Sequence, residues 1–224
     1  PTPHLDKVSE GIRIGRENGI DFLLAVGGGS VIDCAKAASV FSLSGRPASD
    51  YLATGESIPA RHLPLVAVPT TSGTGSEVTS VSVLSDHARG IKAPMAADSF
   101  FPAVALVDPD LTLTVPPRMT AITGFDALCH AVEAYWSRNH QPVCDALAAE
   151  AARTLLANIA AAVARPGDTG VRCAMSQGSL MAGLAFALPK TSAPHACSYP
   201  LTNLLGIPHG EANPRRVASS AVRR

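Results

Sequence analysis

A carboxylate and an imidazole lie four residues apart in the segment GFDALCHAVEAYWS, which contains Asp126 and His130. Residues at this spacing share one face of a helix, so a carboxylate oxygen and an imidazole nitrogen can meet a single cation there. The same spacing also occurs in ordinary polar pairs on helix surfaces. For this pair alone, the ordinary interpretation is favoured.

Two further histidines, His195 and His209, lie in the otherwise apolar stretch HACSYPLTNLLGIPH. Each histidine alone is typical of a buried or helix-capping residue. With Asp126 and His130 they make a set of one carboxylate and three imidazoles. Nitrogen and oxygen donors without thiolate suit a divalent transition metal such as iron or zinc. The four residues are therefore candidate metal ligands.

Two loops have the composition of a phosphate-binding site. The sequence VGGGSVIDCAK places Gly27–Ser30 between an apolar run and a helix, where backbone amides can hold a pyrophosphate. The sequence PTTSGTGSE follows a second apolar run and supplies the hydroxyl groups of Thr70, Thr71 and Thr74. Either loop alone can be a tight connection or a capped turn. In an open parallel sheet both would face one crevice, which favours a ligand site.

An α/β arrangement followed by helices would position these segments. Short apolar runs predict strands at 21–26, 63–69, 78–84 and 103–108, and a helix from 30 to about 42. Partial alternation in the third run predicts a half-exposed hairpin arm. After residue 112 the chain is rich in alanine and leucine, which predicts helices at roughly 120–138, 143–164, 170–187 and 195–205.

The overall composition favours small-molecule partners. Hydrophobic residues make up 46% of the 224 residues, and 18 basic residues balance 18 acidic ones. This balance predicts neither nucleic acid nor an anionic membrane as a partner. The five cysteines are widely spaced and form no C-x-x-C pair, as expected of reduced thiols in a cytoplasmic protein. We also expect neither a signal peptide nor an uninterrupted apolar run of membrane-spanning length.

Residues 15–213 resemble the iron-dependent (group III) alcohol dehydrogenase family. VGGGSVIDCAK is similar to its dinucleotide phosphate turn, and PTTSGTGSEVT to its second nicotinamide-cofactor loop. IKAP, with Lys92, and ALVDPDLT resemble the segment that closes the cofactor domain. GFDALCHAVEAY and GIPHGEAN resemble its metal-binding segments.

The resemblance implies a dehydroquinate synthase-like/iron-alcohol-dehydrogenase architecture. A partial α/β Rossmann-like cofactor domain would occupy residues 1–115, and a partial all-α metal-binding domain residues 116–213. The turn at Gly27–Ser30 would bind the pyrophosphate of NAD or NADP. Thr70, Thr71, Thr74 and Lys92 would complete the cofactor site.

The implied reaction is hydride transfer between the nicotinamide and an alcohol or aldehyde. Fe²⁺, or Zn²⁺ in its place, would polarise the substrate oxygen as a Lewis acid. Asp126, His130, His195 and His209 would be its ligands. The full-length protein is expected to be a homo-oligomer.

One position departs from the family pattern in a way that bears on catalysis. Many members carry a further histidine four residues after the third ligand, where this chain has Tyr199. A phenol has a pKa of about 10, so Tyr199 would shape the substrate pocket or pass a proton through water. The segment KTSAPHACSYPLTNLLGIPHG resembles the branch associated with phosphonoacetaldehyde reduction, which implies an anionic aldehyde bound by Lys190 or Arg118.

The chain is also expected to be truncated. One strand precedes GGGS, whereas the family begins with an additional βαβ portion of about sixty residues. The tail 214–224, PRRVASSAVRR, lacks helical periodicity and family resemblance. An inactive remnant that retains only metal or nucleotide binding is therefore the main alternative. A lyase or cyclase of the dehydroquinate synthase type is disfavoured by the D-x-x-x-H…H…H ligand pattern.

Overall fold

Short apolar strands in the first part of the chain are followed by long alanine-rich helices, as the sequence predicts. The structure, a computed structural model, describes residues 3–192, 195, 196 and 198. The helices and strands are α1 (Leu5–Glu17), β1 (Leu23–Gly27), α2 (Gly29–Phe41), β2 (Leu65–Pro69), β3 (Val81–Asp86), β4 (Ile91–Ala96), β5 (Val104–Ala105), α3 (Pro117–Trp136), α4 (Pro142–Ala164) and α5 (Thr169–Phe186).

The chain divides into two compact units. The first contains Pro1–Pro69 and Ser76–Val107, and the second contains Thr70–Gly75 and the chain from Asp108 onward. The loop 70–75 therefore belongs with the helices rather than with the sheet that precedes it. The predicted boundary between residues 115 and 116 stays a prediction.

A parallel sheet forms the centre of the first unit, with strand order β1-β2-β5. Leu23 pairs with Leu65 at one end of β1, and Gly27 pairs with Pro69 at the other. The pairing of β2 with β5 extends beyond the two residues of β5, because Leu106 N donates to Ala67 O at 2.9 Å. The strand predicted over 103–108 is shorter in the structure, where it comprises Val104–Ala105.

Helix α2 covers one face of this sheet and packs Ile32 against Ala25, Leu65 and Ala67. On the other face Leu24 is 60% exposed and Val26 52% exposed. Parallel sheets are ordinarily covered on both faces. Among the described residues, this face is thus exposed at β1, whereas Val68, which pairs with Val26 on the same face, is buried.

Two elements of the first unit were not among the predicted helices and strands. Helix α1 is amphipathic and buries Leu5, Val8 and Ile12 in a core with Phe41 and Phe100. Strand β4 pairs with β3 as an antiparallel hairpin. The predicted hairpin arm at 78–84 is therefore confirmed, with its start moved to Val81.

Helices α3, α4 and α5 pack together in the second unit and agree closely with the predicted helices. Pro117 and Pro142 begin α3 and α4, where a missing amide hydrogen costs nothing. Asp168 caps α5 by accepting from Val171 N at 3.1 Å. Their shared core consists mainly of alanine, leucine and methionine: Ala127, Ala131, Ala151, Leu155, Met175 and Ala182. Of the helix predicted over 195–205, residues 195, 196 and 198 are helical and the others lie outside the described residues.

Helix α4 is long and apolar enough to cross a bilayer, judged by length and composition alone. It is the one helix of the described residues that passes this test. Glu150 and Arg153 interrupt its apolar residues, and its buried side chains include Leu155 and Ile159. A single helix of this kind is weak evidence for a membrane, since core helices of bundles have the same composition.

A buried polar network joins α2 to the segment that leads into β3. The Asp33 carboxylate accepts from Ser76 Oγ at 2.5 Å and from Val83 N at 3.0 Å. Lys36 is fully buried, and its Nζ donates to Thr79 O at 2.7 Å and to Val81 O at 2.9 Å. Burial lowers the pKa of Lys36 to about 8, against the opposing charges of Asp33 and Glu77. Lys36 therefore still carries its proton at neutral pH.

The substitution Lys36→Met tests this network. It removes the donors to two carbonyl oxygens and the positive charge beside Asp33, while it keeps a side chain of similar length. Breaking a buried charge network by removing one partner costs about 3–5 kcal/mol. We expect a loss of this size in the free energy of unfolding, measured by urea titration.

The matched control is Lys7→Met, because Lys7 is exposed and pairs with Glu10 on the surface of α1. Its substitution should leave the free energy of unfolding nearly unchanged, since Lys7 makes no buried contact. Equal losses for the two variants would contradict a structural role for Lys36.

Candidate metal centre

Helix α3 places three ionisable side chains on one face. Asp126, His130 and Glu133 follow one another at helical spacing, and their exposed fractions are 5%, 6% and 0%. Burial removes the water that would solvate them, so each group needs a partner in the protein or a bound ion. This side of α3 is therefore a polar interior within an otherwise alanine-rich unit.

His195 lies beside this face of α3. One donor atom each from Asp126, His130 and His195 can be chosen so that all three lie within 4.8 Å of one another. His195 Nε2 is 3.8 Å from Asp126 Oδ1, which is beyond hydrogen-bond distance. The structure thus brings together three of the four side chains that the sequence predicts as ligands.

Aromatic packing holds the His130 ring in place. The ring stacks on Phe186 with centroids 4.3 Å apart and on His195 with centroids 4.5 Å apart. Both contacts restrict rotation of the imidazole. A ring fixed in this way holds each of its nitrogens in a constant direction, as a metal ligand must.

The residues fit a divalent metal. Nδ1 of His130 is buried and has no hydrogen-bond partner among the described residues. A buried polar atom without a partner costs about 1–3 kcal/mol, so its retention here points to a further group in the site. Two imidazoles and one carboxylate form a donor set that suits iron or zinc.

Glu133 is the functional residue that the sequence prediction missed. Its Oε1 accepts from His195 Nδ1 at 2.6 Å, and its Oε2 accepts from Ser192 N at 2.7 Å. Burial raises the pKa of the Glu133 carboxyl, and the hydrogen bonds from Ser192 oppose this effect. The signal was present in the segment HAVEA, since Glu133 follows His130 by three residues on the same face.

The neighbouring cysteine is not a ligand of the same type. Cys129 lies on α3 between Asp126 and His130 in sequence and is a buried free thiol. Burial, with the charges of Asp126 and Glu133, raises the pKa of this thiol. The candidate donor set of Asp126, His130 and His195 does not include Cys129.

Several predicted residues lie outside the described part of the chain or apart from this cluster. His209 and Tyr199 lie outside the described residues, so their roles as fourth ligand and catalytic residue stay predictions. Lys190 and Arg118 are both exposed. The backbone of Lys190 has a φ of 65°, in the left-handed region, where the chain leaves α5.

The glycine turn lies at the start of α2. Gly28 is the N-cap, and Gly29 and Ser30 begin a 13-residue helix whose first turn contains no acidic residue. Gly27 is needed for space, because an added Cβ would lie 2.7 Å from the Val31 side chain. Free amides and the helix dipole make such a terminus favourable for an anion. Lys92 lies in β4 opposite Ser85 of β3.

The threonine loop is anchored to the helices of the second unit. Ser72 Oγ and Ser176 Oγ are 3.1 Å apart and share a hydrogen bond. A Cβ added at Gly73 would lie 2.7 Å from Thr123 Cβ, and one at Gly75 would lie 2.5 Å from Gly183 Cα. The glycines therefore let the loop backbone approach α3 and α5 closely. Thr70, Thr71 and Thr74 are half-buried, and the crevice shared with the glycine turn stays a prediction.

Both parts of the chain match models of known protein families. Residues 1–109 match the model of the family described as "Iron-containing alcohol dehydrogenase", and residues 120–218 match that of "Fe-containing alcohol dehydrogenase family, C-terminal". The chain belongs to the iron-containing alcohol dehydrogenase family. The predicted fold class, an α/β nucleotide-binding part followed by a helical part, is confirmed by its similarity to solved structures of this family.

Individual relatives are similar over nearly the whole chain. The crystal structure of sulfoacetaldehyde reductase from Bifidobacterium kashiwanohense in complex with NAD⁺ is 51% identical, with a TM-score of 0.92 over 95% of this chain and 56% of that one. Long-chain-alcohol dehydrogenase 1 of Geobacillus thermodenitrificans is 44% identical over 95% of this chain and 54% of its own length. NAD-dependent methanol dehydrogenase of Bacillus methanolicus is 37% identical, with 95% and 56% covered. The chain thus spans about half the length of the curated relatives it matches.

The close approach of Gly75 to α5 can be tested with Gly75→Ala. Gly75 has a φ of +61°, and its Cβ would collide with the Gly183 backbone. We expect the free energy of unfolding to fall by the roughly 1–2 kcal/mol cost of a left-handed alanine and by a further amount for the collision. Urea unfolding measures the sum.

Gly90→Ala separates the two contributions. Gly90 has a nearly equal φ of +65°, but an added Cβ has no neighbour within 4 Å. The alanine at position 90 should therefore show the conformational cost alone. If both variants lose the same free energy, the contact of the loop with α5 does not require glycine.

Proposed function

We propose that this chain is the metal- and nucleotide-binding part of an oxidoreductase that transfers a hydride between NAD(H) and an alcohol or aldehyde. The observation that carries the proposal is the buried cluster of Asp126, His130 and His195, with donor atoms within 4.8 Å of one another. When bound, Fe²⁺ would act as a Lewis acid that stabilises negative charge on the substrate oxygen. Zn²⁺ fits the same donors.

The protein side chains have distinct parts in this proposal. Asp126 supplies the negative charge of the metal site, and His130 and His195 supply neutral nitrogen donors. Stacking of His130 on Phe186 keeps the site closed to water on that side. We assign His209 as the fourth ligand, and Tyr199 as a residue that shapes the substrate pocket or passes a proton through water.

The cofactor would be bound by two segments. The amides at Gly27–Ser30 hold the pyrophosphate at the N-terminus of α2, where the helix dipole favours negative charge. Thr70, Thr71, Thr74 and Lys92 contact the rest of the dinucleotide. NAD is favoured over NADP because one similar structure is a complex with NAD⁺ and one relative is named as NAD-dependent.

For the substrate we propose a short aldehyde that carries an anionic group. A sulfonate-bearing aldehyde is favoured by the similarity to a sulfoacetaldehyde reductase at 51% identity. A phosphonate-bearing aldehyde is the alternative from the sequence of the final segment. Lys190 and Arg118 are the exposed cations assigned to the anion. We also propose a cytoplasmic location and a homo-oligomeric full-length protein, without nucleic acid or membrane partners.

Metal binding is tested on protein purified without oxygen, with metal content measured by mass spectrometry. The parent chain should retain about one Fe²⁺ or Zn²⁺ per chain, and Asp126→Asn combined with His195→Ala should lose it, because two of the clustered donors are removed. His140→Ala is the control, since His140 is an exposed residue that pairs with Asp145. Unchanged metal content in the double variant would refute the site.

Activity is tested by following NADH and NADPH oxidation with sulfoacetaldehyde, phosphonoacetaldehyde and propanal. The anionic aldehydes should give the higher kcat/KM, and Lys190→Met should lower this ratio for them but leave it unchanged for propanal. Arg13→Met, on the exposed face of helix α1, is the matched control. A preference for propanal in the parent protein would contradict the proposed substrate class.

The alternative to this proposal is an inactive remnant that retains only metal or nucleotide binding. The same assay distinguishes it when this chain is compared with a version extended to the full length of the family. If this chain binds metal but shows no turnover, and the extended chain does turn over substrate, then this sequence retains only the binding function.

A further inference from the structure

The polar cluster on α3 contains the carboxylates of Asp126 and Glu133. Among the described residues, Asp126 belongs to the set of candidate metal donors and Glu133 does not. Both of its oxygens are already occupied. Oε1 accepts from His195 Nδ1, and Oε2 accepts from the amide and the hydroxyl of Ser192 at 2.7 and 2.9 Å. Glu133 therefore reaches the metal site only through His195.

The hydrogen bond to Glu133 determines which nitrogen of His195 is available. With the Nδ1 hydrogen directed at Oε1, a neutral imidazole carries its lone pair on Nε2. Nε2 is the atom that faces Asp126 Oδ1 at 3.8 Å. Two electron-rich atoms in a buried site at this distance repel each other unless a proton on Nε2 or a metal ion between them supplies positive charge. The tautomer selected by Glu133 is thus the one that a metal ion requires.

Glu133 is itself held by a chain of donors that points in one direction. Trp136 Nε1 donates to Ser192 Oγ at 3.1 Å, and Ser192 Oγ donates to Glu133 Oε2. The loop that carries Ser192 is fixed as well, because Ser137 Oγ donates to Pro189 O at 3.0 Å and Lys190 N donates to Phe186 O at 2.9 Å. All these donors are satisfied when Glu133 is a carboxylate, so the network has a single arrangement.

We propose that Glu133 is a positioning residue of the metal site: through its hydrogen bond to Nδ1 it fixes the tautomer and orientation of His195, and Ser192 holds it in place. This inference rests on the proposed metal-binding function. Outer hydrogen-bond partners of this type contribute 10- to 100-fold to metal affinity. Ser192 and Trp136 thereby belong to the same functional unit, although neither can reach the metal.

The first test uses the metal-free protein and needs no activity. Long-range ¹H–¹⁵N spectra of the imidazoles report the tautomer of each histidine. In the parent protein His195 should carry its hydrogen on Nδ1. In Glu133→Gln the side-chain NH₂ group faces either Ser192 or His195, both of which donate hydrogen bonds to Glu133 in the parent protein. We therefore expect a mixture of the two His195 tautomers. A parent protein in which His195 carries its hydrogen on Nε2 would overturn the proposal, whether or not any variant folds.

The second test measures the dissociation constant of Zn²⁺ and of Co²⁺ alone by competition with a chelator. Glu133→Gln should weaken binding by about 10- to 100-fold, whereas Ser192→Ala, which keeps the amide donor, should weaken it by less than about tenfold. The visible spectrum of the Co²⁺ protein should change in Glu133→Gln, because the ligand orientation changes. A purely structural role for Glu133 would lower the melting temperature of the metal-free protein and leave the spectrum unchanged.

Two comparisons make the outcome unambiguous. Glu77→Gln is the matched control, because Glu77 is a buried glutamate that belongs to the first unit. The metal affinity of this variant should equal that of the parent protein. Asp126→Asn reports on the proposed function itself. If Asp126→Asn weakens binding and Glu133→Gln does not, the positioning role is wrong and the metal site stands. If neither variant weakens binding, the proposed function is wrong.

Discussion

Asp126, His130 and Glu133 are removed from water on one face of a single helix, and burial of such groups costs several kcal/mol each unless new partners replace the water. The second unit supplies hydrogen-bond partners to some of these buried groups and not to others. Glu133 has three hydrogen-bond donors, whereas Nδ1 of His130 has none among the described residues. Glu133 therefore completes a hydrogen-bond network within the protein, whereas Nδ1 of His130 takes no part in one among the described residues. The arrangement of α5, the Ser192 loop and His195 around α3 follows from the same requirement.

The first unit contains a second buried polar network, which has a different purpose. Lys36 and Asp33 are joined to backbone groups of 79–83, so the network connects α2 to the β-hairpin rather than facing a cavity. Its donors and acceptors are matched within the protein. The start of α2, which carries the glycine turn, is thereby fixed to the hairpin that contains Lys92. A stable helix N-terminus is what a phosphate-binding turn requires.

Strand β1 is exposed on one face of the parallel sheet. Leu24 and Val26 are exposed on a sheet type that is normally covered on both sides. The chain spans about half the length of its curated relatives. Asp126, His130 and His195 all belong to the second unit, and the glycine turn belongs to the first.

The sequence by itself determined the features that depend on short spacing. Asp126 and His130 are four residues apart on a helix, and Gly27–Ser30 join a strand to a helix, so periodicity and turn chemistry were sufficient to predict them. Helix α1 and strand β4 were missed, although α1 has a clear amphipathic pattern. The packing of loop 70–75 against α3 and α5 was also beyond prediction, because its glycines are explained by Gly183 and Thr123, far away in sequence.

Only the tertiary structure decided which buried polar groups meet. Glu133 and His195 are 62 residues apart, and Lys36 and Thr79 are 43 residues apart. No local pattern encodes such pairs, since they form only when helices and loops from distant parts of the chain are packed together. The spacing on α3 therefore indicated which residues share one face of the helix, and the fold determined that Glu133 bonds to His195 while Asp126 lies in the candidate donor set.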